Sequence, residues 1–157
     1  MKQMDDFPTQ LKIANKYEQW LGSKMDVECY NNDNKYDILL KNGLTIEVKN
    51  DFKSETGNVA LEYFCRNKPS GISVSQADYY IYLYPKLQEV WKIKTEKLKQ
   101  MIEDFKNGCH VENWTTELYF MRVSGGDDNL SKMYLVRQFD IRHLFDIKKM
   151  DIPYYEK

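Results

Sequence analysis

Three residues that together could bind a metal ion and a phosphate lie close to one another in this chain. Asp37 is followed, after nine intervening residues, by the triplet Glu47-Val48-Lys49. If this triplet lies in a strand, Glu47 and Lys49 share one face of the sheet and Val48 points to the other. Two interpretations follow. The pair is either a surface ion pair on a half-exposed strand or, with Asp37, part of a cation site.

The turn at Asn42-Gly43 decides whether Asp37 can join the other two residues. A two-residue turn would pair Asp37 with Val48 and place it on the wrong face. A three-residue turn over 41–43, with its glycine in the left-handed conformation, would pair Asp37 with Glu47. Their Cβ atoms would then lie about 5 Å apart, where two carboxylates repel each other unless a cation such as Mg²⁺ lies between them. We predict the three-residue turn and, with it, a magnesium site.

A helix is predicted to precede this hairpin, over residues 7–21. Pro8 suits its first turn and Gly22 its end. Glu18 falls on a stripe with Leu11, Ala14 and Leu21, so it is predicted to point inward. The helix is amphipathic because apolar residues recur every three or four positions: Phe7, Leu11, Ala14, Tyr17 and Leu21.

The rest of the chain alternates short strands with a few helices in one mixed α/β (α+β) domain, residues 1–157. We predict a mixed central β-sheet flanked by helices, with a core at about 7–85 and a C-terminal extension of helix, hairpin and short helix at about 86–157. The predicted strands cover residues 25–30, 36–41, 44–49, 59–64, 79–84, 89–93, 117–123 and 132–136. The further predicted helices cover residues 73–78, 95–106 and 140–145.

An acid, a hairpin and Glu-x-Lys, after a helix with an inward glutamate, resemble the PD-(D/E)XK nuclease superfamily. The similarity runs from Glu18 through Asp37 to Glu47-Val48-Lys49, and the element order α-β-β-β-α-β covers about the first 85 residues. Tyr36 stands in place of the motif's proline. The resemblance implies a restriction-endonuclease-like core and a Mg²⁺-dependent endodeoxyribonuclease, with Mn²⁺ able to substitute.

The resemblance also implies a role for each residue of the motif. Asp37, Glu47 and the main-chain carbonyl of Val48 would be metal ligands. Lys49 would be the catalytic lysine, which orients the attacking water or steadies charge at the phosphate. Glu18 would be an auxiliary acid that reaches a second metal ion or its water.

The spacing of Asp37 and Glu47, with the upstream helical glutamate, resembles that of phage junction-resolving endonucleases. We therefore expect a Holliday junction resolvase type of activity on DNA, a homodimer that cuts two strands, and phage origin. The alternatives are a restriction or repair nuclease, and a non-catalytic nucleic-acid- or protein-binding module on the same fold. The presence of both acids and of Lys49 favours an active enzyme.

Several other residues are candidates for the same site. Glu62 is a charge within an apolar strand that could lie beside the strand of Glu47, where it would extend the metal site or point to solvent. Gln76 and Tyr80 have the Gln-x-x-x-Tyr spacing that some members of the superfamily use. Three cations in flanking loops are the predicted contacts to the DNA backbone: Lys53, Arg66 and Lys68.

Composition limits the class of protein. The chain has 157 residues, a formal net charge of −1 and three scattered cysteines. The length predicts one domain, and the cysteines predict free thiols in a reducing cytoplasm. If the protein is phage-encoded, this would be the cytoplasm of the host. No apolar run is long enough for a membrane span, and the N-terminus lacks the apolar run of a secretory signal. The charge argues against a broad DNA-coating surface but has little bearing on a local catalytic site.

Overall fold

The computed structural model describes residues 7–31, 35–50, 57–107, 119–124 and 131–155. It has a mixed α/β fold with few helices, as the sequence predicts. The helices are α1 (Phe7–Gly22), α2 (Thr95–Lys106) and α3 (Gln138–Ile141). The strands are β1 (Val27–Tyr30), β2 (Ile38–Leu40), β3 (Thr45–Asn50), β4 (Asn58–Cys65), β5 (Lys68–Pro69), β6 (Tyr79–Tyr84), β7 (Glu89–Lys94), β8 (Tyr119–Ser124), β9 (Ser131–Arg137) and β10 (Asp146–Lys149).

The central sheet has six strands in the order β1-β2-β3-β6-β7-β10. Among its described pairs only β3–β6 is parallel, so the predicted mixed sheet is confirmed. A second, antiparallel sheet has the order β5-β4-β9-β8, which the sequence analysis does not foresee. The chain before residue 85 and the chain after it contribute strands to both sheets.

Helix α1 covers one face of the central sheet. Its buried line is Ile13, Tyr17 and Leu21, which packs with Ile46 and Val48 of β3. These helix positions are spaced at i, i+4 and i+8 and therefore lie on one side.

The predicted stripe through Leu11 is wrong, because Leu11 is 50% exposed. Two residues correspond to about 200° of rotation around a helix axis, so Leu11 faces away from Ile13. Glu18 lies at the margin of the buried side and is only half-buried.

The second sheet and α2 cover the other face of the central sheet. Strand β6 is buried on both sides: Ile81 and Leu83 face α1, whereas Tyr80, Tyr82 and Tyr84 face the second sheet. The prediction that helices flank the central sheet is therefore correct for the face covered by α1. On the opposite face it omits the second sheet, which covers that face together with α2. The side chains that α2 contributes to this core are Leu98, Met101, Ile102 and Phe105.

The helix predicted over 73–78 is wrong. The chain makes one 3₁₀ turn at Gly71–Ser73 and then runs without regular structure to β6. Ser75 accepts a hydrogen bond from the N–H of Ala77 at 3.2 Å through its hydroxyl, a local bond that competes with helix formation. The described chain between β3 and β6 therefore contains β4, β5 and this turn, where the superfamily order has a helix.

Two further predictions need correction. The strand that carries Glu62 does not lie beside β3, because β4 pairs with β5 and β9 in the second sheet. The helix predicted over 140–145 is shorter and earlier, ending with α3 at Ile141 before a 3₁₀ turn at Arg142–Leu144. Strand β10, which follows, is not predicted at all. Among the described residues, no helix is long and apolar enough to cross a membrane.

Two glycines with positive φ differ in their surroundings. Gly43, in the β2–β3 turn, has φ +89°, and a Cβ there would meet nothing within 4 Å. Gly71 has φ +54°, and a Cβ there would lie 2.6 Å from the main-chain oxygen of Glu62 and 2.9 Å from its Oε2. Gly71 therefore lets the 3₁₀ turn pack directly against β4.

We expect Gly71→Ala to lower the free energy of unfolding more than Gly43→Ala does. The strain of positive φ should cost Gly43→Ala about 1 kcal/mol, and the collision with Glu62 should bring the cost of Gly71→Ala to about 3 kcal/mol. Urea denaturation of both variants measures the difference. Equal losses would mean that the turn at Gly71 can move away from β4 at little cost.

Candidate active site

The turn between β2 and β3 has three residues, as predicted. The N–H of Leu40 donates to the carbonyl of Leu44 at 2.9 Å, and the N–H of Gly43 donates to the carbonyl of Leu40 at 2.9 Å. Gly43 has the positive φ that this turn requires. Leu40 is thus paired with Leu44, and residues 41–43 form the loop.

This register brings Asp37 next to Glu47, one residue beyond the last strand pair. The pairs in the hairpin are Ile38 with Ile46 and Leu39 with Thr45, and one further step reaches the two acids. Directly opposite residues of an antiparallel pair place their side chains on the same face. The two carboxyl groups therefore lie near each other where β2 begins, and the charge of Asp37 acts on Glu47.

Asp37 immediately precedes β2. Its side chain bonds to β3 where a main-chain group of a longer β2 would otherwise do so. Its N–H donates to the carbonyl of Ile46 at 2.9 Å, and its Oδ2 accepts the N–H of Val48 at 2.7 Å. The N–H and the C=O of one strand residue point to the same side. The carbonyl of Val48 consequently points to the side of β3 on which Asp37 lies.

Lys49 and Glu47 form an ion pair on this face. The Nζ of Lys49 lies 3.3 Å from Oε1 of Glu47, and the two side chains are 46% and 19% exposed. The simpler interpretation, that Glu47 and Lys49 form an ion pair, is thus confirmed for these two residues. It does not account for the other two acids, which have no counterpart in a plain surface pair.

Glu18 reaches these acids from α1. Burial raises the pKa of Glu18 to about 7, the negative charges of Asp37 and Glu47 add to the increase, and Lys49 opposes it. Helix α1 covers the face of β3 that carries Ile46 and Val48, so Glu18 approaches the acids from that side of the sheet. The structure thus brings Glu18, Asp37, Glu47 and Lys49 together, and we call these four residues the acidic cluster.

The pKa values of Asp37 and Glu47, the other two acids of the cluster, are also raised. Burial raises the pKa of Asp37, while the hydrogen bond from Val48 and the charge of Lys49 oppose the increase. Burial likewise raises the pKa of Glu47, Lys49 lowers it, and the charge of Asp37 raises it further. Three carboxylates share one lysine, so the cluster favours the uptake of positive charge.

Tyr80 lies beside the acidic cluster in β6, directly next to Glu47 in the parallel register. Burial raises the pKa of the Tyr80 hydroxyl, and a hydrogen bond with Ser75 opposes this. The charges of Glu47, Asp37 and Glu62 raise it further. Glu62 of the second sheet therefore lies near Tyr80, although its strand is not the neighbour of β3. The Gln-x-x-x-Tyr spacing is the sequence signal that singles out Tyr80.

Gln76 lies outside the strands, before β6. It is exposed, and its N–H donates to the carbonyl of Lys35 at 3.4 Å. It lines an open groove of about 610 Å³ at the start of α2, together with Lys94 and Lys99. Ser75 lines the same groove and bonds to Tyr80. Ser75 and Tyr80 therefore lie between the groove and the acidic cluster.

Two of the three cations predicted to contact DNA lie in the hairpin between β4 and β5. Arg66 and Asn67 form its two-residue turn, with φ values of +52° and +61°, and Cys65 pairs with Lys68. Arg66 and Lys68 are exposed. Lys53 lies outside the described residues.

The chemistry of the donor groups fits magnesium. Among the described residues, no three His, Cys, Asp or Glu side chains are arranged around a common metal position. Mg²⁺ requires fewer protein ligands than that, since it is usually bound through one or two carboxylates together with water and substrate phosphate. Asp37, Glu47 and the carbonyl of Val48 supply oxygen ligands only. A zinc site would call for histidine or cysteine.

Neither the known protein-family models nor the curated proteins include a match for this chain. The function of the acidic cluster is therefore inferred from its residues and its geometry. The raised pKa of Glu18 is the property that can be tested without knowledge of the substrate.

We expect Glu18 to make the protein less stable as the pH rises from about 4.5 to 7. The pKa of its carboxyl is about 7 in the folded chain, against an ordinary value of 4.5 for a glutamate in water. Between these values the unfolded state releases its proton first, so unfolding becomes easier as pH rises. Glu18→Gln should therefore be about 1 kcal/mol more stable than wild type at pH 8 and equal to it at pH 4, a modest gain because Glu18 is only half-buried and its charge is screened.

Urea denaturation at both pH values measures this difference. Glu28→Gln is the matched control, because Glu28 is an exposed glutamate of β1. If Glu18→Gln were no more stable than wild type at pH 8, Glu18 would not carry a raised pKa.

Proposed function

We propose that this chain is a metal-dependent DNA endonuclease that hydrolyses phosphodiester bonds, with a restriction-endonuclease-like core. The observation that supports it best is the hairpin register that brings Asp37 next to Glu47, with Lys49 paired to Glu47 and Glu18 approaching from α1. A lone ion pair on a strand needs neither of the two additional acids. Burying three carboxylates around one lysine costs stability, and such perturbed groups concentrate at functional sites.

The residues of the acidic cluster would divide the work. Asp37, Glu47 and the carbonyl of Val48 would hold Mg²⁺, or Mn²⁺ in its place. When bound, the ion supplies positive charge that offsets the developing charge on the phosphate and makes water more acidic. The ammonium of Lys49 lies beside Glu47 and is 46% exposed, so it can contact a phosphate oxygen and stabilise its negative charge.

Glu18 has the property required of a proton acceptor. A general base works best when its pKa lies near the working pH, and the pKa of Glu18 is raised to about 7. Its carboxylate would accept the proton of the water that attacks phosphorus. This role agrees with the place that the superfamily resemblance gives it, near the attacking water.

We further propose that the substrate is branched DNA and that two copies of the chain act together as a dimer. The interval between Asp37 and Glu47 and the helical glutamate resemble those of junction-resolving endonucleases. With a net charge of −1, the chain would rely on local cations near the cluster to bind DNA. Arg66 and Lys68, exposed on the β4–β5 hairpin, are the described candidates for backbone contacts.

We expect the purified protein to cleave DNA with Mg²⁺ or Mn²⁺ and to stop when the metal is chelated. Asp37→Asn and Lys49→Ala should each lower the cleavage rate by at least about a hundredfold, because each removes charge from the reacting phosphate's surroundings. The assay compares a four-way junction, a flap, a linear duplex and single-stranded DNA, and a preference for the junction is expected. Lys41→Ala is the control, since Lys41 is an exposed lysine in the turn of the same hairpin.

The same assay tests the alternative functions. Binding of DNA without cleavage of any substrate would favour a non-catalytic module on this fold. Preference for linear duplex would favour the restriction or repair type. Unchanged cleavage by Asp37→Asn would rule out the acidic cluster as the active site.

We expect Mg²⁺ to stabilise the protein against heat at pH 8 in the absence of DNA. A ligand that binds only the folded state stabilises it by about 2.7 kcal/mol at a hundred times its dissociation constant. The melting temperature should rise with Mg²⁺ in wild type and in Glu28→Gln but not in Asp37→Asn. Equal increases in all three proteins would mean that the ion binds elsewhere.

A further inference from the structure

The chain after β10 crosses to the face of the central sheet that α1 covers. The N–H of Met150 donates to the carbonyl of Gln88 at 3.0 Å. The side chain of Gln88 then bonds both main-chain groups of Ile152: Nε2 donates to the carbonyl at 2.9 Å, and Oε1 accepts the N–H at 3.0 Å. Ile152 is buried in the same core as α1. Residues 150–155, which we call the strap, are therefore fixed at the β6–β7 turn before they reach the helix.

The strap ends on two consecutive residues of α1. The N–H of Tyr155 donates to the hydroxyl of Tyr17 at 3.0 Å, and the two rings pack edge to face with centroids 4.8 Å apart. The Nζ of Lys16 lies 5.7 Å from the centroid of the Tyr155 ring. Tyr17 is fully buried, so this contact lies inside the core. The next residue of the helix is Glu18.

We propose that the strap sets the rotation of α1 and so positions Glu18 against Asp37 and Glu47, with Tyr155 as the positioning residue. This inference rests on the function proposed for those acids. Consecutive residues of a helix project about 100° apart around its axis, so Tyr17 cannot turn without carrying Glu18 with it.

The way α1 is packed makes this rotation sensitive to the strap. The fully or nearly buried apolar side chains among those described in α1 are Ile13, Tyr17 and Leu21, and the partly buried Trp20 packs against the same core. Because these contacts lie on one side of the helix, a further contact at Tyr17 limits rolling of α1 about its axis. Tyr17 lies midway between Ile13 and Leu21, and Tyr155 contacts it both through its main-chain N–H and through its ring.

Hydrogen exchange of the metal-free protein tests the contact itself. We expect Tyr155→Ala to speed the exchange of α1 amides around Tyr17 by about tenfold, because local opening of the helix becomes easier. Tyr155→Phe should behave as wild type, since it keeps both the main-chain N–H and the ring. Tyr154→Ala is the matched control, because Tyr154 is 50% exposed in the same segment. Wild-type exchange in Tyr155→Ala would overturn the proposal.

A double-mutant cycle tests whether the contact acts through Glu18. We expect Tyr155→Ala to lower kcat by about tenfold, with KM for the DNA unchanged, because it misplaces a catalytic group. It should also weaken Mn²⁺ binding measured by calorimetry at pH 8, because the negative charge of Glu18 then lies farther from the ion that Asp37 and Glu47 would hold. In the Glu18→Gln background the same change should cost less than about twofold. A purely structural role would cost the same in both backgrounds, and that result would overturn the proposal.

Failure of the proposed function would be distinguishable from failure of the strap. If wild type cleaves no DNA, the endonuclease proposal fails, and Mn²⁺ binding then decides the strap. Weaker Mn²⁺ binding in Tyr155→Ala that disappears in the Glu18→Gln background would support it. Mn²⁺ affinity equal to that of wild type, or no Mn²⁺ binding at all, would overturn it. If the protein cleaves DNA and Tyr155→Ala lowers kcat equally in both backgrounds, the endonuclease proposal is supported and the strap proposal is overturned.

Discussion

The hydrogen bond from the N–H of Val48 to the carboxylate of Asp37 is the contact on which the rest of the candidate site depends. It extends the β2–β3 ladder with a side chain in place of a main-chain partner, beyond the last strand pair, which is Ile38 with Ile46. The same bond holds the Asp37 carboxylate on the side to which the Val48 carbonyl points. A buried carboxylate that accepts a main-chain N–H remains ionised more readily, which is the state required of a metal ligand.

The layered architecture supplies the cluster's two sets of neighbours. Helix α1 lies on the Val48 face of β3 and contributes Glu18, whereas the second sheet lies on the Glu47 face and contributes Glu62 through its proximity to Tyr80. The acids therefore lie at β3 with a layer on each side of the sheet, and each is partly withdrawn from water. Desolvation is accordingly the largest cause of the raised pKa of each acid in the cluster.

The sequence predicts those features that depend on local chemistry. Asn42-Gly43 permits a three-residue turn with positive φ, and that turn alone fixes the register of Asp37. Alternation identifies β4 as a strand but not the sheet to which it belongs, because a strand buried by one sheet has the same period as a strand buried by another. The strap has no local signal at all, since Tyr17 and Tyr155 lie 138 positions apart. The sequence predicts the burial of Glu18 only approximately. Apolar residues lie on two sides of α1, one with Leu11 and one with Ile13 and Tyr17, and the second side is the buried one.

The electrostatic balance of the cluster explains why a structural role alone is a poor account of it. An ion pair between Glu47 and Lys49 satisfies both charges at the surface, and burial of the pair would gain little. Adding Asp37 and Glu18 leaves three acids against one ammonium in a partly desolvated place, which raises the free energy of the folded chain above about neutral pH. A fold that needed only stability would be better served by apolar or neutral side chains at these positions. A bound cation and a substrate phosphate contacted by Lys49 would together make use of the same charges.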